Sequence, residues 1–222
     1  MLLFLFFATT WVSTSQALSI APVTYTQESP NGKFLFVMLS PLPVDQEIQF
    51  YTNDPGRKDQ VLEIRRTFPR NGLYRNDGSK ELLWPVGWWR PTILIANDGV
   101  HAASVAPYGN PAVTFYRSGR EFRHYEVSDL IDFQFLLDRG FGFPAWEASH
   151  HMDATGKKLY VTTRQSDEFV FYMATGEVIS SVRMARRYAL GLVFVLFLAA
   201  ALIGKRLHRR RKRAQSVESV DS

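Results

Sequence analysis

The sequence predicts a mainly β fold: three antiparallel β units with one short helix, followed by a C-terminal transmembrane helix. Three observations predict it. Short alternating runs are separated by Asn-Gly, Asp-Gly, Thr-Gly and Ser-Gly pairs, the punctuation of hairpins. Ser128–Gly140 (SDLIDFQFLLDRG) breaks the pattern with helical spacing, Ser128 as N-cap and Gly140 as stop. Tyr188–Gly204 (YALGLVFVLFLAAALIG) is apolar and uncharged, and seven Lys/Arg follow it.

The β units share a form. Ser29–Leu39, Ala96–Ala106 and Asp153–Thr163 each place a polar turn ending in Gly before a strand. Leu73–Val86, Val113–Val127 and Phe169–Ser181 then each place a strand, a Gly turn and a second strand. The spacing is 20 residues for Gly99–Gly119 and 20 for Gly156–Gly176, but 46 for Gly32–Gly78. An insertion of about 26 residues therefore falls near Pro41–Phe68.

The last unit, DATGKKLYVTTRQSDEFVFYMATGEVIS, resembles a YVTN-type or WD-type β-propeller repeat. The elements that match are the turn Asp153–Gly156, the strands Leu159–Thr163 and Phe169–Tyr172, the polar turn Gln165–Glu168 and the run Ala174–Glu177. The resemblance covers about 28 residues well and the other two units loosely. It implies four-stranded blades and a scaffold or binding surface, and it carries no chemistry. Propellers close with about 4–8 blades. Three units therefore predict a partial or atypical propeller, with a β-sandwich as the alternative.

The C-terminal apolar run sits at the short end of what a bilayer core of roughly 30 Å requires. Flanking Arg187 and Lys205 extend it by snorkelling, so the span reads 187–204. The following flank (Lys205, Arg206, Arg209, Arg210, Arg211, Lys212, Arg213) outweighs Arg183, Arg186 and Arg187 on the other side. The richer side stays in the cytoplasm. The tail 205–222 is thus expected inside, with its basic residues on anionic lipid. The domain 18–182 is expected outside the cytoplasm.

At the other end, LLFLFFA followed by Ser15-Gln16-Ala17 fits a signal peptide over 1–17, although no Lys or Arg precedes the apolar stretch. An uncleaved leader would leave the middle domain on the same side.

Division of the charge removes one partner class. Residues 18–182 hold 16 Lys/Arg and 19 Asp/Glu, a net of −3, whereas 183–222 hold 10 and 2, a net of +8. The basic character belongs to the anchor, so the partner is lipid rather than nucleic acid. There are no cysteines, which excludes disulfides, a thiol nucleophile and Cys-ligated metal. No Asn-x-Ser/Thr site occurs either, and both features lean toward a bacterial envelope.

No nucleophile elbow, phosphate-cradling loop or HExxH motif is present, and no cofactor is implied. His150 and His151 lie beside Asp153, but neighbours on a strand point to opposite faces, so a shared metal is not expected. The most distinctive local feature is aromatic: WPVGWWRP (Trp84–Pro91) and FGFPAW (Phe141–Trp146). On a strand, Trp84 and Trp88 share one face and Trp89 the other. Trp84, Trp88, Trp89, Arg90 and Trp146 are therefore the candidate binding residues, for stacking on a sugar or anchoring a protein. The bland reading is that these rings fill a core without disulfides.

The expected function is a single-pass membrane protein whose extracytoplasmic domain binds or scaffolds an envelope protein or glycan, with oligomerisation left open. The alternative is an extracytoplasmic hydrolase built on His150, His151 and Asp153.

Overall fold

Glycine turns organise the chain into three meanders in the computed structural model, which describes residues 21–132, 134, 137, 145–184, 188, 190–200, 202 and 203. Sheet 1 joins β1 (Tyr25–Glu28), β2 (Phe34–Met38), β3 (Gly72–Arg75) and β4 (Leu82–Pro85). Sheet 2 joins β5 (Leu94–Ile95), β6 (His101–Val105), β7 (Val113–Arg117) and β8 (Arg120–Tyr125). Sheet 3 joins β9 (Glu147–Met152), β10 (Lys158–Thr163), β11 (Glu168–Tyr172) and β12 (Glu177–Val182). Every neighbouring pair is antiparallel, and each sheet runs in chain order.

The repeat visible in the sequence is thus real at the level of hydrogen bonds. The first turn of each sheet closes the same way. Gly32 N–H donates to Ser29 O at 2.8 Å, Gly99 to Ala96 O at 3.4 Å, and Gly156 to Asp153 O at 2.9 Å. A ladder of side-chain amides ties these turns together. Asn31 N–H donates to Asn97 Oδ1 at 2.8 Å, and Asn97 Nδ2 donates to Ala154 O at 3.1 Å.

The sheets stack in order. Phe36, Met38, Leu73 and Trp84 of sheet 1 pack against Ile93, Ile95, Ala102 and Tyr116. On the other side of sheet 2, Ala103, Val105, Val113 and Phe115 pack against Leu159, Val161, Phe169 and Phe171 of sheet 3. Sheet 2 is buried on both faces, which explains why β6 and β7 lack the usual polar alternation. The first-turn glycine of a following sheet sits tightly against the preceding sheet: a Cβ on Gly99 would lie 2.6 Å from the Phe34 ring. A Cβ on Gly156 would lie 2.6 Å from Asn97 N, while one on Gly32, with no preceding sheet, would meet nothing within 4 Å.

The insertion between β2 and β3 covers the remaining face of sheet 1. It comprises α1 (Val44–Glu47), a 3₁₀ turn (Ile48–Tyr51) and α2 (Pro55–Thr67). Asp54 caps α2 by accepting from Arg57 N–H at 3.0 Å, and Pro55 occupies the first turn, where its missing N–H is harmless. Ile64 and Phe68 pack on Val37 and Tyr74.

Three four-stranded antiparallel sheets form, as three β units predict, and among the described residues they make no closed ring. One expectation changes. Of the helix expected over Ser128–Gly140, the described residues show one α-helical turn, α3 (Val127–Leu130), with Glu126 rather than Ser128 at its N-cap, and a 3₁₀ position at Gln134. Ile131 turns extended, and Val127, Leu130 and Ile131 enter the core between sheets 2 and 3. Residues 133, 135–136 and 138–140 of that segment lie outside the described residues.

Residues 190–200 are helical, and their apolar side chains are exposed, Leu190 at 65 % and Phe197 at 71 %. Among the described residues no helix is long and apolar enough to cross a membrane. The span expected over 187–204 includes residues 187, 189, 201 and 204, which lie outside the described residues, as do the leader 1–17 and the tail 205–222.

Candidate functional site

The aromatic segment lies mostly off the strand it was expected to occupy. β4 ends at Pro85, and only Trp84 is on it, buried in the core between sheets 1 and 2. Trp88 and Trp89 follow in a loop and are half-buried. Trp146 is fully buried against sheet 3.

All four indole N–H groups donate to backbone carbonyls. Trp84 donates to Gly99 O at 2.9 Å, Trp88 to Gly119 O at 3.0 Å, Trp89 to Val23 O at 3.3 Å and Trp146 to Ala106 O at 2.6 Å. Trp84 and Trp88 therefore clasp two of the glycine turns of sheet 2, one from β4 and one from the loop after it.

Arg90 is drawn into the same seam. Its Nε donates to Tyr116 Oη at 3.1 Å, and its guanidinium lies 6.0 Å from the Trp88 ring. Trp88 stacks on Tyr116 at 4.4 Å. Tyr25 Oη donates to Arg90 O at 2.8 Å. Burial, and secondarily Tyr116, pushes the Tyr25 hydroxyl well above the ordinary tyrosine range. Burial also raises Tyr116, against the opposing pull of Arg90. Of the aromatic candidates, Trp88, Trp89 and Arg90 keep partial access to solvent, and each already has a partner within the chain.

One concave surface lies where the first strands of the three sheets meet. A groove of about 340 Å³ is lined by Gln27 and Glu28 of β1, Thr92, Leu94 and Ile95 at β5, Pro30, and His150, His151 and Met152 of β9. Its polar walls are fixed from behind. His150 Nδ1 lies 3.1 Å from Glu147 Oε1, and the His151 ring stacks on Tyr160 at 4.8 Å and 5°. Asp153 does not join the two histidines. Its Oδ1 accepts from Lys157 N–H at 2.9 Å and Lys158 N–H at 3.0 Å, and its Oδ2 from the Thr155 hydroxyl at 2.6 Å. Desolvation works against its charge, but these hydrogen bonds outweigh it and hold the carboxyl below the usual range. Asp153 is a turn residue.

Among the described residues no group of three His, Cys, Asp or Glu side chains is placed to hold a metal ion. The sequence pointed to His150 and His151 but missed Gln27, Glu28 and Thr92, because only the stacking of sheets brings three distant first strands together. The membrane-surface set Lys205, Arg206, Arg209, Arg210, Arg211, Lys212 and Arg213 lies outside the described residues. No family of known proteins and no characterised protein matches this chain.

Proposed function

We propose that the chain is a single-pass membrane protein whose extracytoplasmic β domain is a binding or scaffold module for an envelope protein or glycan. The observation that carries this reading is the groove between β1, β5 and β9, a concave surface with rigid walls in a domain whose other conspicuous side chains are spent on holding sheets together. The helical stretch 190–200, with its exposed apolar side chains, supports its role as part of the anchor, and the seven basic residues after 204 support an inside tail.

The alternative, an extracytoplasmic hydrolase built on His150, His151 and Asp153, is less supported, since Asp153 serves a turn and not the histidines. The test is photo-crosslinking in the native membrane, with the reactive residue placed at Thr92 in the groove, at Phe50 on the insertion and at Tyr172 on sheet 3. Products joining the chain to an envelope component at one or more of these sites are expected. Absence of any product at all three overturns the reading.

A further inference from the structure

The groove has a property that its lining side chains do not reveal. In an antiparallel pair, successive residues alternate between facing the partner strand and facing away from it. Ser29 N–H donates to Phe34 O at 3.0 Å, Ala96 to His101 O at 2.9 Å and Asp153 to Lys158 O at 3.0 Å. These three residues occupy the same position of the repeat and face their partner strands. The residue before each therefore turns its N–H and C=O outward. Those residues are Glu28, Ile95 and Met152, and all three line the groove. One step further along β9, the alternation also turns His150 outward.

The three edges are not equally available. β5 has two residues and follows Pro91; β1 has four and runs into Pro30. β9 has six residues, and among the described residues no strand pairs with its outer side. Edges are normally blunted by Lys, Pro or a bulge. β9 contains no Lys or Pro, and its register shift lies at the far end near Glu147. The groove end of β9 is thus long, regular and unprotected. Opposite it stands Glu28, exposed, with Glu147 behind His150, and no Lys or Arg lines the groove. Leu94, Ile95 and Met152 supply an apolar floor.

We propose that the groove takes an extended peptide segment of a partner protein, paired to the backbone of His150 and Met152 on the edge of β9, with a Lys or Arg side chain meeting Glu28. The proposal rests on the binding-module reading and narrows it to a peptide ligand. Backbone pairing supplies the affinity, and alternate side chains supply the selectivity.

The test uses the full-length chain in nanodiscs of neutral lipid, which remove the competing attraction of anionic headgroups. The probe is a fluorescent seven-residue peptide alternating Lys with Val and Thr, followed by anisotropy. Saturable binding is expected. N-methylation of alternate residues, which blocks one edge of the peptide, is expected to weaken it at least ten-fold. Replacement of the peptide lysines by glutamate is expected to weaken it as well. Glu28→Gln is expected to weaken binding roughly two- to five-fold, the range of an exposed charge pair. Thr92→Lys, which puts bulk and positive charge in the groove, is expected to abolish it with the melting temperature held near wild type.

Equal binding of the N-methylated or the acidic peptide overturns the proposal, as does the absence of saturable binding. Binding of a β-linked oligosaccharide in place of every peptide also overturns it, yet leaves the module reading intact. Crosslinks at Phe50 or Tyr172 without any at Thr92 have the same consequence. Silence at all three positions overturns the broader reading instead.

Discussion

The Glu47 carboxylate is completely buried and bound to the Arg65 guanidinium, at 2.6 Å from Nη2 and 2.8 Å from Nε. Glu47 also accepts from the backbone N–H and the hydroxyl of Thr24, and Arg65 donates to Ser40 O and Leu42 O. One ion pair therefore joins the start of β1, the exit of β2, α1 and α2. It fixes the insertion onto sheet 1, while Ile64 and Phe68 supply the apolar contact.

Removing one partner of this pair strands a charge in the interior. Arg65→Met is expected to destabilise the fold by about 3–5 kcal/mol, the usual range for a broken buried pair. Urea unfolding of the full-length chain in detergent, followed by tryptophan fluorescence, measures it. The double variant Glu47→Gln with Arg65→Met removes both charges and is expected to recover part of the loss. A single variant indistinguishable from wild type would show that the pair is no anchor.

The stacking of sheets 2 and 3 is tested at equivalent glycines. Gly32 and Gly156 have nearly equal backbone angles, φ +69° and +67°. Alanine at either position bears the left-handed penalty of roughly 1–2 kcal/mol. At Gly156 the new Cβ would also meet Asn97 N at 2.6 Å, whereas at Gly32 it meets nothing. Gly156→Ala is therefore expected to be the more destabilising by at least about 1 kcal/mol, the low end of what overpacking costs. Equal losses in thermal melts would mean that the turns of sheets 2 and 3 are not in tight contact.

Much of this arrangement was legible. The Gly spacing placed β2, β6 and β10 and the hairpins after them, and the irregular spacing of Gly32–Gly78 located the insertion that became α1 and α2. The first strands escaped notice for a physical reason. β5 has only two residues, and an edge strand is specified by its neighbour more than by its own pattern. The groove could not be read at all, since Glu28, Thr92 and His151 meet only after the sheets stack. The tryptophans allowed two readings because a large ring with one polar atom suits an exposed platform and a sheet-to-sheet seam equally well. What distinguishes the two is a backbone carbonyl within reach of the indole, as Gly119 O is for Trp88.

The seam also has an alkaline signature. Tyr25 is neutral in the fold, with its hydroxyl pushed up by burial and by Tyr116, while the unfolded chain ionises near pH 10. The folded state then holds more protons than the unfolded state, so stability falls as pH rises above 10. Below that pH the contribution is fully present. Unfolding midpoints are expected to drop steadily above pH 10. Tyr25→Phe is expected to flatten that drop, while losing about 1 kcal/mol at neutral pH with the hydrogen bond to Arg90 O. An alkaline limb unchanged in the variant would place the titrating group elsewhere.

The orientation of the chain is open to a direct measurement, because the natural sequence contains no cysteine. Any thiol introduced is then unique. Phe50 is 54 % exposed on the insertion, far in sequence from the anchor, and Ser216 lies in the basic tail. On the proposed topology the tail, with seven Lys/Arg after residue 204, lies inside, because cytoplasmic flanks carry the Lys/Arg excess. In intact cells a membrane-impermeant maleimide is expected to label Phe50→Cys and to spare Ser216→Cys until the membrane is permeabilised. The chain is held in place at the end of its last sheet. Arg183 is held by Asp132 Oδ1 at 3.1 Å and Asp129 O at 2.9 Å, one residue after β12 ends. Labelling of Ser216→Cys alone would invert the molecule, and equal labelling of both in intact cells would remove the anchor.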